Sequence, residues 1–220
     1  MKYLPNILTL LNAACGCVAL YYVGSLELEV AMYLVLLGAF FDLFDGLLAR
    51  RLGVAGPLGV QLDSLADLIT FGIVPGAIAV TTLFFSGLDA PFALLGFSVT
   101  LGSVYRLAKF NTLTEKAQHF RGLPTPANAL FWLGLPLLSV DFTSWQLLVL
   151  VLLSTYLLNS ELIFLRLKIR KGLGANAGLL LATVGTITLF VIFGWAALSP
   201  VLVAYVIVSI LFTIYKKLKS

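Results

Sequence analysis

Residues 28–67 read LEVAMYLVLLGAFFDLFDGLLARRLGVAGPLGVQLDSLAD, and this stretch decides the fold. Residues 28–50 are apolar enough for a helix crossing a bilayer, which needs about 20 such residues. Yet the run carries Asp42 and Asp45, and the next apolar run carries Asp63 and Asp67. An Asp near the bilayer centre costs about 2.5–3.5 kcal/mol on insertion scales, so four of them demand a common reason. Asp42 and Asp45 are three apart and Asp63 and Asp67 four apart, so each pair shares a helix face. At about 1.5 Å per residue, Asp45 and Asp63 both lie roughly 7–8 Å from the helix ends that face each other across the turn. Asp42 and Asp67 lie roughly 12–14 Å from those ends, so two antiparallel helices bring the pairs to matching depths.

Outward from this pair, the rest of the 220 residues continue the pattern: 60% are hydrophobic, only 11% are charged, and the mean hydropathy is +1.05. An ordinary soluble domain has roughly 25% charged residues. A soluble fold of this size has no place to hide so much apolar surface, and a disordered chain needs the opposite composition. The net charge of +4 is not gathered into a basic stripe with aromatic partners, so nucleic acid is not an expected partner. Cys15 and Cys17, two apart on an apolar helix, point to different faces and form neither a disulfide framework nor a zinc site.

Eight apolar segments are expected to cross the membrane: 5–24, 28–50, 58–85, 91–112, 124–140, 144–165, 174–195 and 199–216. Gly72 and Pro75 predict a kink or an early end in the third. With eight spans every basic residue falls on one side: Lys2; Arg50 and Arg51; Arg106, Lys109, Lys116 and Arg121; Arg166, Lys168, Arg170 and Lys171; Lys216, Lys217 and Lys219. The opposite loops hold only Glu27, Glu29, Asp89 and Asp141. The positive-inside rule then puts both termini in the cytoplasm of an inner-membrane protein, with the Asp pairs facing the cytoplasm. The expected architecture is thus all-α: a polytopic membrane helix bundle, residues 1–220 forming one integral membrane domain. Glu115 and His119 fall in a polar loop, where solvated roles are expected, and Glu161 near Arg166.

Four carboxylates converging in a cleft of low dielectric repel unless a cation neutralises them. Hard oxygen ligands suit Mg²⁺ or Mn²⁺, and Mg²⁺ typically bridges carboxylates to substrate phosphates. Gly46 leaves room beside Asp45, and Gly59 does the same near Asp63. Arg50, one turn beyond Asp45 toward water, is placed to grip a phosphate. A pyrophosphate at the interface, with lipid tails in the bilayer, suits this set. An ion-paired or protonated cluster, or an ion pathway, is the alternative reading of the same geometry.

In order, Asp42-x-x-Asp45-Gly46-x-x-Ala49-Arg50, eight residues, Gly59-x-x-x-Asp63-x-x-x-Asp67 resembles the signature of the CDP-alcohol phosphatidyltransferases, with every fixed position filled. The resemblance implies a membrane enzyme, usually a homodimer with a six-helix core, that joins a CDP-linked donor to an alcohol and releases CMP. It implies metal ligands at Asp42, Asp45 and Asp63. Asp67 then both reaches a second divalent ion and acts as general base, and Gly46 and Arg50 bind the donor. The family often has Ser or Thr where this chain has Gly56, so a hydroxyl contact to the donor is absent here. Pro5-Asn6-x-x-Thr9-x-x-Asn12 resembles the family's first helix, whose polar face borders the nucleotide cleft, and assigns Asn6 and Thr9 to the donor beside Gly59.

Arg106-Leu107-Ala108-Lys109-Phe110-Asn111, with Gly122-Leu123-Pro124-Thr125-Pro126-Ala127-Asn128, resembles paired segments of the family's serine-using members. CDP-diacylglycerol and L-serine are then the expected substrates, with phosphatidylserine as product. Serine's carboxylate wants a cation and its ammonium an acceptor, for which Arg106, Lys109 and Asn111 are the candidates; topology and headgroup contact is the alternative reading of Arg106 and Lys109. Glycerol 3-phosphate or inositol phosphate is the rival acceptor and would want several cations, for which Arg106, Lys109 and Arg121 are candidates. A transporter using the Asp cluster as its ion site is a different class, but no inverted repeat supports it. Residues 1–171 are expected to form the catalytic core. Residues 172–220 add two helices without a polar constellation.

Overall fold

The computed structural model describes residues 3–54, 56–112, 122–162, 164 and 177–219, with only backbone for 177–184, 212 and 215–219. Lys2, Glu115, Lys116, His119, Arg121, Arg166, Lys168, Arg170 and Lys171 lie outside the described residues, so part of the charge argument has no structural counterpart here. Every regular element among the described residues is helical. In chain order the rods are α1 Leu4–Gly24, α2 Leu28–Leu52, α3 Pro57–Phe85, α4 Ala90–Thr112, α5 Thr125–Gly134, α6 Ser144–Asn159, α7 Ala177–Phe193 and α8 Leu198–Lys219.

Helix is present in each of the eight apolar segments. Five stretches are long and apolar enough to cross a membrane: α1, α2, α3, α4 and Gly185–Leu211. The last runs from α7 into α8 through a bend at Gly194, whose φ is +56°. At 1.5 Å per residue, the 10-residue α5 falls well short of a 30 Å hydrocarbon core, and the 16-residue α6 falls somewhat short. The eight-span count is therefore not reached on length and composition alone.

Large apolar side chains cover the outside of these rods: Leu101, Trp145 and Val191 are 68%, 74% and 80% exposed. In a bilayer such a surface meets lipid, and helix association then relies on close packing and interhelical hydrogen bonds. Both occur. Trp132 is completely buried, and its indole N–H donates to Ser154 Oγ, which donates to Asn128 Oδ1. Asn159 Nδ2 of α6 donates to the Gly102 carbonyl of α4 at 3.0 Å. Ser199 Oγ ties the start of α8 to the Phe131 carbonyl of α5 at 2.6 Å.

Two local features position the site. The α2–α3 turn begins at Gly53, whose φ of +63° takes the left-handed cap that closes many helices. It ends where Pro57 opens α3, a position where a missing N–H costs nothing. Directly after Asp67, α3 widens into a π-helical turn over Leu68–Ile73 and then continues to Phe85. Pro75 cannot donate to the Phe71 carbonyl in the α pattern, which removes a reason to keep that register. Thr100 Oγ1 of α4 donates to the Gly72 carbonyl at 3.0 Å. The expected disturbance at Gly72 and Pro75 is thus a widened turn and not an early end.

Candidate active site

A short turn joins α2 to α3, and α1 packs against both. Carboxylate oxygens of Asp42, Asp63 and Asp67 lie within 4.8 Å of one another, and all three side chains are half-buried. Two full negative charges at that separation repel by about 3.5 kcal/mol at an effective dielectric of about 20. Three of them in one cleft are a hard, all-oxygen donor set, which fits a divalent cation of the Mg²⁺ or Mn²⁺ type.

Asp45 is not in that trio. It is 5% exposed and accepts a hydrogen bond of 2.5 Å from Thr9 Oγ1 of α1. The Pro5 carbonyl also lies 3.1 Å from that hydroxyl, but a hydroxyl has one proton and the charged acceptor is the stronger. One turn further along, Asn12 is completely buried and its Nδ2 donates to Asp67 Oδ1 at 3.4 Å. Thr70 Oγ1 holds the Asn12 carbonyl at 2.9 Å. Small residues allow this approach. A Cβ at Gly38 would stand 2.8 Å from Asn12 Oδ1, and one at Gly16 would stand 2.9 Å from Thr70 Cα.

The expected donor residues surround the same region. A Cβ on Gly46 would meet nothing within 4 Å, so the space beside Asp45 is open. At Gly59 the nearest atom would be Asn6 Oδ1, 3.7 Å away, which brings those two together across α1 and α3. Arg50 is exposed, and its Nε donates to the Gly46 carbonyl at 2.9 Å, one turn back on its own helix.

On the other side of Asp63 and Asp67 opens a cavity of about 340 Å³ between α3, α4 and the start of α5. Its lining includes Asp63, Ser64, Asp67, Arg106, Asn111 and Thr125. Asn111 Nδ2 donates to Ser64 Oγ at 2.9 Å, so the α4 amide sits beside the acidic motif. Arg106 Nη1 donates to the Leu158 carbonyl at 2.8 Å. Gly122, at φ +81°, is needed there, because a Cβ would come within 2.6 Å of Arg106 Nη1.

Lys109 does not line this cavity. At 100° per residue, Arg106, Phe110, Leu107 and Asn111 span an arc of about 140° on α4, and Lys109 falls about 60° beyond it. Ser64 and Thr125 were not singled out by sequence reasoning. The only signal for Ser64 was its place next to Asp63 in an apolar helix.

Comparison with known proteins covers the stretch that holds the acidic motif. Residues 2–158 match a family described as CDP-alcohol phosphatidyltransferase. A Bacillus subtilis (strain 168) protein named CDP-diacylglycerol–serine O-phosphatidyltransferase is 33% identical over 147 residues, covering 65% of this chain and 77% of that protein. An archaetidylserine synthase from Methanothermobacter thermautotrophicus is 34% identical over 131 residues, 57% of this chain and 54% of its own. A CDP-diacylglycerol–serine O-phosphatidyltransferase of Helicobacter pylori (strain 26695) is 33% identical over 127 residues, 57% of this chain and 53% of its own. The chain thus spans about half the length of the latter two.

Proposed function

The chain belongs to the CDP-alcohol phosphatidyltransferase family, and from that premise we propose that it transfers the phosphatidyl group of CDP-diacylglycerol to L-serine. The names of the relatives support this acceptor. The observation that carries the reading is that one cavity is lined by Asp63 and Asp67 of the acidic motif and by Arg106.

In this reading Asp42, Asp45, Asp63 and Asp67 hold divalent ions, Mg²⁺ or Mn²⁺, which when bound offset the negative charge of the donor's pyrophosphate. Gly46, Gly59 and Asn6 border the donor, and Arg50 swings from its helix to a phosphate oxygen. Arg106 pairs with the serine carboxylate, and Asn111, steadied by Ser64, accepts from the ammonium. Asp67 takes the proton of the serine hydroxyl. The hydroxyl oxygen bonds to the diacylglycerol-side phosphorus, the P–O bond to CMP breaks, and CMP leaves with that electron pair.

A phosphorylated acceptor would carry a dianion and want more than one cation. Among the described lining residues Arg106 is the one Lys or Arg, and Arg121, a candidate second cation, lies outside the described residues. The reading also has both termini and the active site on the cytoplasmic side of the inner membrane, residues 1–171 as catalytic core, 172–220 as two added helices, and a homodimer.

The test is CMP release by the purified protein with CDP-diacylglycerol and Mn²⁺, offering L-serine, glycerol 3-phosphate or inositol phosphate in turn. Serine alone is expected to support release. Release with a phosphorylated alcohol instead overturns the acceptor. No release with any alcohol overturns the transferase and favours an ion-coupled transporter.

A further inference from the structure

The polar face of α1 does something other than what its sequence suggests. Thr9 and Asn12 are three residues apart and share a helix side, which the family resemblance places along the nucleotide cleft. Both side chains are instead closed off, Thr9 at 4% and Asn12 at 0% exposure. A residue so buried has little surface left for a donor. What they reach is the acidic motif itself: Thr9 Oγ1 donates to Asp45 Oδ2, and Asn12 Nδ2 to Asp67 Oδ1.

Asp45 makes this more than packing. Of the four motif Asp residues it is the one with almost no exposed surface, and it stands outside the trio that closes to within 4.8 Å. A carboxylate taken out of water needs its lone pairs satisfied. A hydroxyl bonded to one oxygen fixes the rotamer, and a carboxylate, with about four lone-pair sites, keeps others for a metal ion. Carboxylates that bind metals are commonly held this way, and loss of the holding partner costs about 10–100-fold in metal affinity or activity.

The approach of α1 is also fixed independently of any ligand. Thr70 Oγ1 bonds the Asn12 carbonyl, and Gly16 and Gly38 leave no room for a side chain where α1 meets α3 and α2. The depth and rotation of α1, and so the position of the Thr9 hydroxyl, are set by this packing.

We propose that Thr9 is a positioning residue that holds Asp45 ready to ligate a divalent ion, and that it does not touch the donor. This rests on the metal-dependent transferase reading for its chemistry, but its first readout is ion binding, which does not require turnover. Mn²⁺ binding to the purified protein is followed by electron paramagnetic resonance, and the KM for CDP-diacylglycerol is measured at saturating Mn²⁺. Thr9→Val, which keeps the shape and removes the hydroxyl, is expected to weaken Mn²⁺ binding about 10–100-fold. The donor KM is expected to stay within about twofold, and Thr9→Ser to restore wild-type ion binding. In an Asp45→Asn background, Thr9→Val is expected to cost nothing further, the mark of one residue acting through another.

Unchanged Mn²⁺ binding in a folded Thr9→Val protein overturns the proposal. So does a raised donor KM with ion binding intact, because Thr9 is then a donor contact. If Thr9→Val does not fold, Thr9→Ser decides, since lost ion binding with the hydroxyl retained also overturns it. A wild type that binds Mn²⁺ yet releases no CMP would sink the transferase reading and leave the ion-binding comparison standing.

Discussion

Asp67 stands at the junction of two environments: its carboxylate joins the trio with Asp42 and Asp63, and it lines the cavity that Arg106 also lines. That double placement is what a base serving both metal and acceptor requires. Asp67→Asn keeps size and hydrogen-bonding capacity but removes the proton acceptor. Turnover is expected to fall by about 10²–10⁴ while CDP-diacylglycerol still binds, as read by competition with a labelled donor. Near-normal turnover would remove the base assignment. For Arg106, replacing the guanidinium by the neutral amide in Arg106→Gln loses a charged hydrogen bond worth about 1.5–3 kcal/mol. The KM for serine is expected to rise at least tenfold, with a smaller change in the donor KM; a reversed pattern would assign Arg106 to the donor.

At the scale of the helices, the crossing of α1 over α3 fixes what the side chains can do. A Cβ at Gly16 would press on Thr70 Cα, which is backbone and cannot rotate away. Gly16→Ala is therefore expected to cost about 1–3 kcal/mol as overpacking, seen as a lower unfolding temperature in detergent, and to weaken Mn²⁺ binding by shifting Thr9. An unchanged unfolding temperature would mean the crossing is looser than described. The meeting of Asp42 of α2 with Asp63 and Asp67 of α3 was legible in the sequence, because an Asp inside an apolar helix is conspicuous and helical spacing fixes its face. The roles of Thr9 and Asn12 were not, because spacing gives the face of a helix but not which neighbour it meets. Lys109 shows the same limit: its charge suggested the acceptor site, and its helical angle leaves it outside the lining of the cavity. The π turn was only half legible, since Gly72 and Pro75 mark a disturbance without saying which form it takes.

Over the whole molecule, the apolar exterior and the buried polar links describe a bundle that meets lipid on its outside and keeps Asp42, Asp63 and Asp67 in one cleft. Arg50 and Arg51 at the end of α2, and Asp89 just before α4, belong to opposite sides in the proposed topology. A cysteine at Asp89, in a background lacking Cys15 and Cys17, is expected to react with an impermeant thiol reagent added to intact cells, and one at Arg51 only after lysis. Equal labelling of both would refute the arrangement. In the proposed function the acidic cleft and the Arg106 cavity work as one site joining serine to a lipid phosphate. This is tested most directly by incubating membranes containing the protein with labelled L-serine, CDP-diacylglycerol and Mn²⁺ and counting label in the lipid phase. Label in the lipid that requires both CDP-diacylglycerol and the divalent ion, and that Asp67→Asn abolishes, is the predicted result. Label that stays in the aqueous phase, or enters lipid equally well with Asp67→Asn, would contradict it.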